Sequence, residues 1–139
     1  MRDLPGVQSL ITFLYYHQIE PAASFYEDIL GLELVEDQGW AKIYRAGGNA
    51  FLGIVAGEQG FHAPQDKNAV LVTLVVDDVP VWYDRLAGLG VKMLSELEHR
   101  QEIGIRCFFL QDPGGYSIEI QQFLMPRHAQ IFGCAGPGR

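Results

Sequence analysis

Two stretches decide the fold, Ile19–Leu34, IEPAASFYEDILGLEL, and Asp78–Leu94, DVPVWYDRLAGLGVKML. In each, an extended apolar run gives way to Pro, then an aromatic pair, Phe25-Tyr26 or Trp82-Tyr83, then a helical pattern that stops at Gly. A second pair follows them, Tyr44–Ile54, YRAGGNAFLGI, and Leu110–Ile120, LQDPGGYSIEI, each reading as strand, Gly-Gly turn and strand. Copies of one supersecondary unit roughly 60 residues apart imply paired half-sites, so function is to be sought where equivalent positions of the two halves converge.

Working outward from the first stretch, Leu10–Tyr16 (LITFLYY) is β-branched and aromatic and predicts a strand that ends at the polar His17 and Gln18. Pro21 suits the first turn of a helix, where its missing N–H costs nothing. Ala22, Phe25, Tyr26, Ile29 and Leu30 then fall on one face at helical spacing, and Gly31 stops the run. Strands are expected near Leu32–Glu36, Trp40–Arg45 and Asn49–Val55, the last two joined across Gly47-Gly48.

The second copy opens with Ala69–Val76, AVLVTLVV, whose only polar residue is Thr73, so it reads as a strand covered on both faces. Asp78 is placed to cap a helix begun by Pro80, with Trp82, Leu86 and Leu89 as its buried stripe and Gly88 and Gly90 at its end. Val91–Leu94, Ile105–Gln111 and Tyr116–Phe123 complete the unit as strands. The expected organisation is a single domain over 1–139: unit one at 8–56, a Gly- and Pro-containing linker at 57–68, unit two at 69–124, and a tail at 125–139 expected to fray unless it packs on a partner.

Composition excludes several classes. At 139 residues, with 48% hydrophobic and 19% charged residues, the chain is an ordinary globular protein, not a disordered one. Such a length buries roughly two-thirds of the surface that the unfolded chain exposes, so no disulfide or zinc is needed to fold it. A formal charge of −7 without a Lys/Arg block argues against nucleic acid and anionic membrane as partners. Cys107 and Cys134 stand far apart and form neither a disulfide framework nor a CxxC site. The N-terminus lacks the pattern of a secretion signal and no apolar run reaches membrane-span length, so a cytoplasmic location is expected.

The repeated β-α-β-β-β pattern, with FYxxxLGL at Phe25–Leu32 and GxRxFFLxDPGGYxIEI at Gly104–Ile120, resembles the vicinal oxygen chelate superfamily, which includes glyoxalase I, bleomycin-resistance proteins and extradiol dioxygenases. The resemblance spans about residues 8 to 124 and implies an α+β fold, tandem βαβββ units forming a cup-shaped mixed sheet with helices on the outer face. It also implies a homodimer. Family members that do chemistry hold a divalent metal with His or Gln on the first strand of each unit and Glu on the last.

Counting back from the helices, the first-strand positions are Ile11 and Leu71; aligning the Gly-Gly turns, the last-strand positions are Leu52 and Glu119. Of these four, Glu119 alone can bind a metal. A catalytic cation needs about three N or O ligands, and a shift of one residue, to Thr12, Val72 or Gly53, does not supply them. No metal cofactor is therefore expected, unless His17, Tyr15 or Gln121 joins Glu119 in an unconventional site.

Glu119 is accordingly the candidate catalytic residue, a general base or an anchor for a cationic or hydroxylated ligand, desolvated on an apolar sheet. Its plainer reading is a salt bridge to Arg106, because pairing Gln111 with Tyr116 would put Phe108 opposite Glu119 and Arg106 opposite Gln121. Phe13, Tyr15, Trp40 and Phe108 are expected on the same face by alternation, with His17, Arg106 and Gln121 as further ligand contacts. The expected function is sequestration of an apolar or aromatic small molecule in the cup between the two units. The alternative is a metal-dependent lyase, isomerase or dioxygenase of the glyoxalase type, and a third is an interaction protein whose face is covered by its own tail or a partner chain.

Overall fold

A computed structural model describes residues 4–134. Its contacts divide the chain into two compact units, the first ending at Asp66 and the second beginning at Lys67. Each unit builds one open mixed sheet with a helix against one face, the α+β architecture that the repeat implies.

In the first unit, β1 (Leu10–Tyr16) leads into α1 (Ile19–Ser24), which continues as a π-helical turn over Phe25–Ile29 before β2 (Glu33–Asp37), β3 (Ala41–Arg45) and β4 (Ala50–Ala56). The strand order is β1-β4-β3-β2, with β1 parallel to β4 and the other pairs antiparallel. One face is core: Leu14, Tyr16, Tyr44, Leu52 and Ile54 are buried along with Ala22, Phe25, Tyr26 and Leu30 of the helical segment. Each such large apolar side chain contributes about 1.5–3 kcal/mol by leaving water. The buried phenols are satisfied: Tyr16 donates to the Tyr26 hydroxyl (3.2 Å) and Tyr44 donates to Glu27 (2.7 Å). Burial, then the bond to Glu27, drives the Tyr44 pKa far up, so that it remains a donor.

The second unit runs β5 (Leu71–Val75), α2 (Val79–Ala87), β6 (Lys92–Met93), β7 (Glu98–Arg100), β8 (Ile105–Gln111), β9 (Ser117–Phe123) and α3 (Pro126–Phe132). Its order is β5-β9-β8-β6, with β7 also on β8, and β5 is parallel to β9. Asp78 caps α2 by accepting from the Val81 N–H (3.2 Å), and Gln122 accepts from the Val79 N–H (3.0 Å), fixing the helix start to β9. Phe108, Leu110, Ile118, Ile120, Val79 and Leu86 are fully buried, with Tyr83 edge-on to Phe108 at 5.1 Å.

Four sequence expectations need correction. Ala69–Val76 is not covered on both faces: β5 is an edge strand, with Leu71 51% and Val75 37% exposed. The outer strand is split, because Leu94 and Ser95 both donate to the Phe109 carbonyl and the Ser95 hydroxyl accepts from the Phe109 N–H, which separates β6 from an additional strand β7. The segment after β4 is not a bare linker, since Gly60 lies tight against Val55 and Tyr15 and the Phe61 N–H donates to the Tyr15 hydroxyl (3.1 Å). Nor does the start of the tail fray: α3 packs on its own unit, with Phe132 stacked on Phe123 at 4.5 Å and Ala129 buried. Residues 135–139 lie outside the described residues.

Candidate functional site

Alternation along β9 puts Ser117, Glu119, Gln121 and Phe123 on the face turned away from α2, and the register adds Leu71, Thr73 and Val75 from β5 and Cys107 and Phe109 from β8. Glu119 is at the middle of this open face, paired with Thr73 on one side and Phe109 on the other, and it is only 7% exposed. The Thr73 hydroxyl donates to one carboxylate oxygen (2.8 Å) and the Gln121 amide donates to the other (3.4 Å). The buried Cys107 lies on the same face, across from Gln121. Burial first, and then the negative charge of Glu119, push the Cys107 pKa up to about 11, so it stays a neutral thiol. All three neighbours are neutral. Among the described residues no ion pair involves Glu119.

The corresponding face of the first sheet has Ile11, Phe13 and Tyr15 from β1 beside Phe51, Gly53 and Val55 from β4. Gly53 is where a side chain is impossible without rearrangement, because a Cβ there would lie 2.3 Å from the Phe13 ring. The ring occupies the space that a side chain at Gly53 would need. Tyr15 is edge-on to His62 (5.6 Å), which is edge-on to Phe61 (4.8 Å), and Arg45 lies over Phe51 at 5.0 Å. Beyond the end of β1, an open cleft of about 520 Å³ is lined by His17, Gly57, Glu58, Gln59, Ala63 and Pro64 among others. The His17 side chain there is 73% exposed and stands 3.8 Å from Asp66.

Residues 9–120 match the family model described as Glyoxalase/Bleomycin resistance protein/Dioxygenase superfamily. The chain belongs to that superfamily. No curated protein matches it. Among solved structures it is similar to a protein of unknown function from Agrobacterium tumefaciens str. C58, at 25% identity and TM-score 0.72 over 87% of this chain and 98% of that one. A lactoylglutathione lyase from Agrobacterium tumefaciens matches at 21% identity and TM-score 0.67, over 86% and 96% of the two chains. TioX from Micromonospora sp. ML1 matches at 17% identity and TM-score 0.71, over 84% and 98%. The latter two share the fold.

The hairpin closures correct the positions at which the superfamily's metal ligands were sought. Both turns are three-residue loops, closed by Ala46 with Ala50 and by Asp112 with Tyr116 (each 2.9 Å), so Arg45 pairs Phe51 and Gln111 pairs Ser117. Superposing the closures in place of the Gly-Gly dipeptides makes Gly53 the counterpart of Glu119, and Leu52 belongs to the buried helix-side face. The pairing of Gln111 with Ser117, where Tyr116 was expected, turns Arg106 and Phe108 to the face opposite Glu119, and the expected Arg106–Glu119 salt bridge does not form. Phe108 is core, and Arg106 is paired with Gln122 and His99.

The structure brings Glu119 and Gln121 together on one face, and Phe13 and Tyr15 together on the other unit's face. Trp40 is not on that face: it precedes β3, is 40% exposed, and serves through its carbonyl, which accepts from the Ala56 N–H. Thr73, Cys107 and Gly53 were missed. Thr73 was legible as the one polar residue in an apolar strand; Cys107 and Gly53 needed the turn closures. Among the described residues, no three His, Cys, Asp or Glu side chains form a metal-binding group, and no helix is long and apolar enough to cross a membrane.

Proposed function

We propose that this superfamily member is a small-molecule-binding protein that works without the divalent metal, holding an apolar or aromatic ligand against its open sheet faces. The observation that carries this is the environment of Glu119, a buried carboxylate flanked by Leu71, Val75 and Phe109 and already held by two neutral donors, Thr73 and Gln121. Ile11, Gly53 and Leu71 stand at the other positions from which metal ligands would come and supply none, and the residue directly across from Glu119 on β5 is Thr73, a neutral hydroxyl. A cation demanding about three N or O ligands does not fit that donor set. An apolar and aromatic lining with a few fixed polar groups is instead what small-molecule sites are made of.

The test is a thermal-shift screen of apolar and aromatic compounds. A ligand at a hundred times its Kd stabilises the folded state by about 2.7 kcal/mol, read as a rise in Tm. An aromatic panel that leaves Tm unchanged contradicts the reading.

The same reading includes a homodimer. The edge strands β1 and β5 expose apolar side chains, Leu10 at 64%, Ile11 at 41%, Phe13 at 42% and Leu71 at 51%. Exposed apolar edges favour association with a second chain. Sedimentation should return twice the 15.5 kDa chain mass, and a monomer at micromolar concentration contradicts it.

A further inference from the structure

A carboxylate that is 93% out of water is normally neutralised by a neighbouring Arg, Lys or metal. Glu119, at 7% exposure, has none of these among the described residues: its hydrogen-bond partners are a hydroxyl and an amide. Arg106 is on the helix side, Arg100 is bound to Glu102 (3.0 Å), and Lys92, on the same face across from Gln111, forms no ion pair with Glu119. Glu98, across from Cys107, adds a second negative charge to the same face. Glu119 is therefore without an ion-paired cation, in apolar surroundings where an ion pair is stronger than in water.

Acceptor capacity narrows the chemistry. An ionised carboxylate offers about four lone-pair sites, and Thr73 and Gln121 take two. The acceptor capacity left suits a donor that brings both a proton and a positive charge, and the flanking Leu71, Val75 and Phe109 suit an apolar or aromatic body attached to it.

Building on the binding reading above, we propose that Glu119 is the anchor for an organic ammonium bearing at least one N–H and an aromatic or aliphatic body. The ligand supplies the counter-charge that the chain omits. Thr73 and Gln121 are positioning residues: their hydrogen bonds orient the carboxylate and leave its remaining lone pairs for the ligand.

The test is calorimetric titration of the full-length protein at pH 7.5 with three probes of one shape, 2-naphthylmethylammonium, 2-naphthylmethanol and 2-naphthoate, against wild type and Glu119→Gln. Gln keeps an oxygen for Thr73 but removes the charge. In the wild type the ammonium should bind at least about ten-fold tighter than the alcohol, as a charge-assisted hydrogen bond provides, and the naphthoate weakest of the three. In Glu119→Gln that preference should fall below about two-fold while the alcohol keeps its affinity, a split that a merely structural Glu119 would not produce. Equal affinity for ammonium and alcohol in the wild type overturns the ammonium assignment and leaves the binding reading standing. So does a preference that survives in Glu119→Gln. Failure of all three probes to bind overturns both. The wild-type comparison decides the matter even if the variant does not fold.

Discussion

At the same place in their hairpins the two sheets carry Gly53 and Glu119, and everything around them differs accordingly. In the first sheet the absent side chain lets the Phe13 ring rest on β4, and the face is a hydrocarbon surface. In the second, Thr73 takes the place that Phe13 has in the first, and its hydroxyl donates to a buried carboxylate. A duplicated unit has thus kept its backbone pairing and divided its chemistry, one copy providing aromatic surface and the other a fixed charge. The turns show the same division: Asp112 accepts from the Gly114 and Tyr116 N–H groups (3.0 and 2.8 Å), whereas Ala46 has no side chain to do so.

The comparison can be broken at several places. The largest effect should come from Thr73→Val, which removes the shortest hydrogen bond to Glu119 and leaves a buried carboxylate oxygen without that donor; a loss of about 2–3 kcal/mol is expected, measured by urea unfolding. Gly53→Ala should cost about 1–2 kcal/mol by forcing its Cβ into the Phe13 ring. Most of that should return in the Gly53→Ala/Phe13→Ala double variant, because the clash is with one side chain. Equal costs in the single and double variants would show that Phe13 does not fill the Gly53 position.

A smaller effect concerns pH. Cys107 has its pKa raised from 9.0 to about 11 by burial and then by Glu119. The unfolded chain therefore loses this proton first, and the thiol's contribution to stability is complete below pH 9 and lost as pH rises from 9 to 11. In a Cys134→Ser background, Cys107 should resist a thiol-specific reagent at pH 8 until the protein unfolds, and Glu119→Gln should lower its pKa. The smallest effect is expected for Phe132→Ala, about 0.5–1.5 kcal/mol from losing the stack on Phe123.

Much of the fold was legible because periodicity and punctuation agreed. Pro21 and Pro80 stand in the first turns of α1 and α2, Asp78 caps α2, and the expected strands fall within a residue or two of the observed ones, with β7 alone unforeseen. The site was legible less well, and the reason is the period of a strand. A one-residue slip exchanges the two faces. Matching Gly-Gly to Gly-Gly, instead of Ala46–Ala50 to Asp112–Tyr116, named Leu52 where Gly53 stands, and pairing Gln111 with Tyr116, instead of Ser117, turned Arg106 and Phe108 toward Glu119. Turn closure is set by backbone hydrogen bonds, which the dipeptide does not reveal. Glu119 itself escaped the error because it was read from its own motif.

The central claim is that Glu119 serves an organic ligand and not a metal. Its most direct test is calorimetric titration of chelator-treated protein with Ni²⁺, Zn²⁺ and Mn²⁺, in wild type and Glu119→Gln. Weak, non-stoichiometric heats that are the same in both proteins are predicted. Stoichiometric binding of any of these ions that disappears in Glu119→Gln would contradict the account and restore the metal-dependent lyase, isomerase or dioxygenase reading.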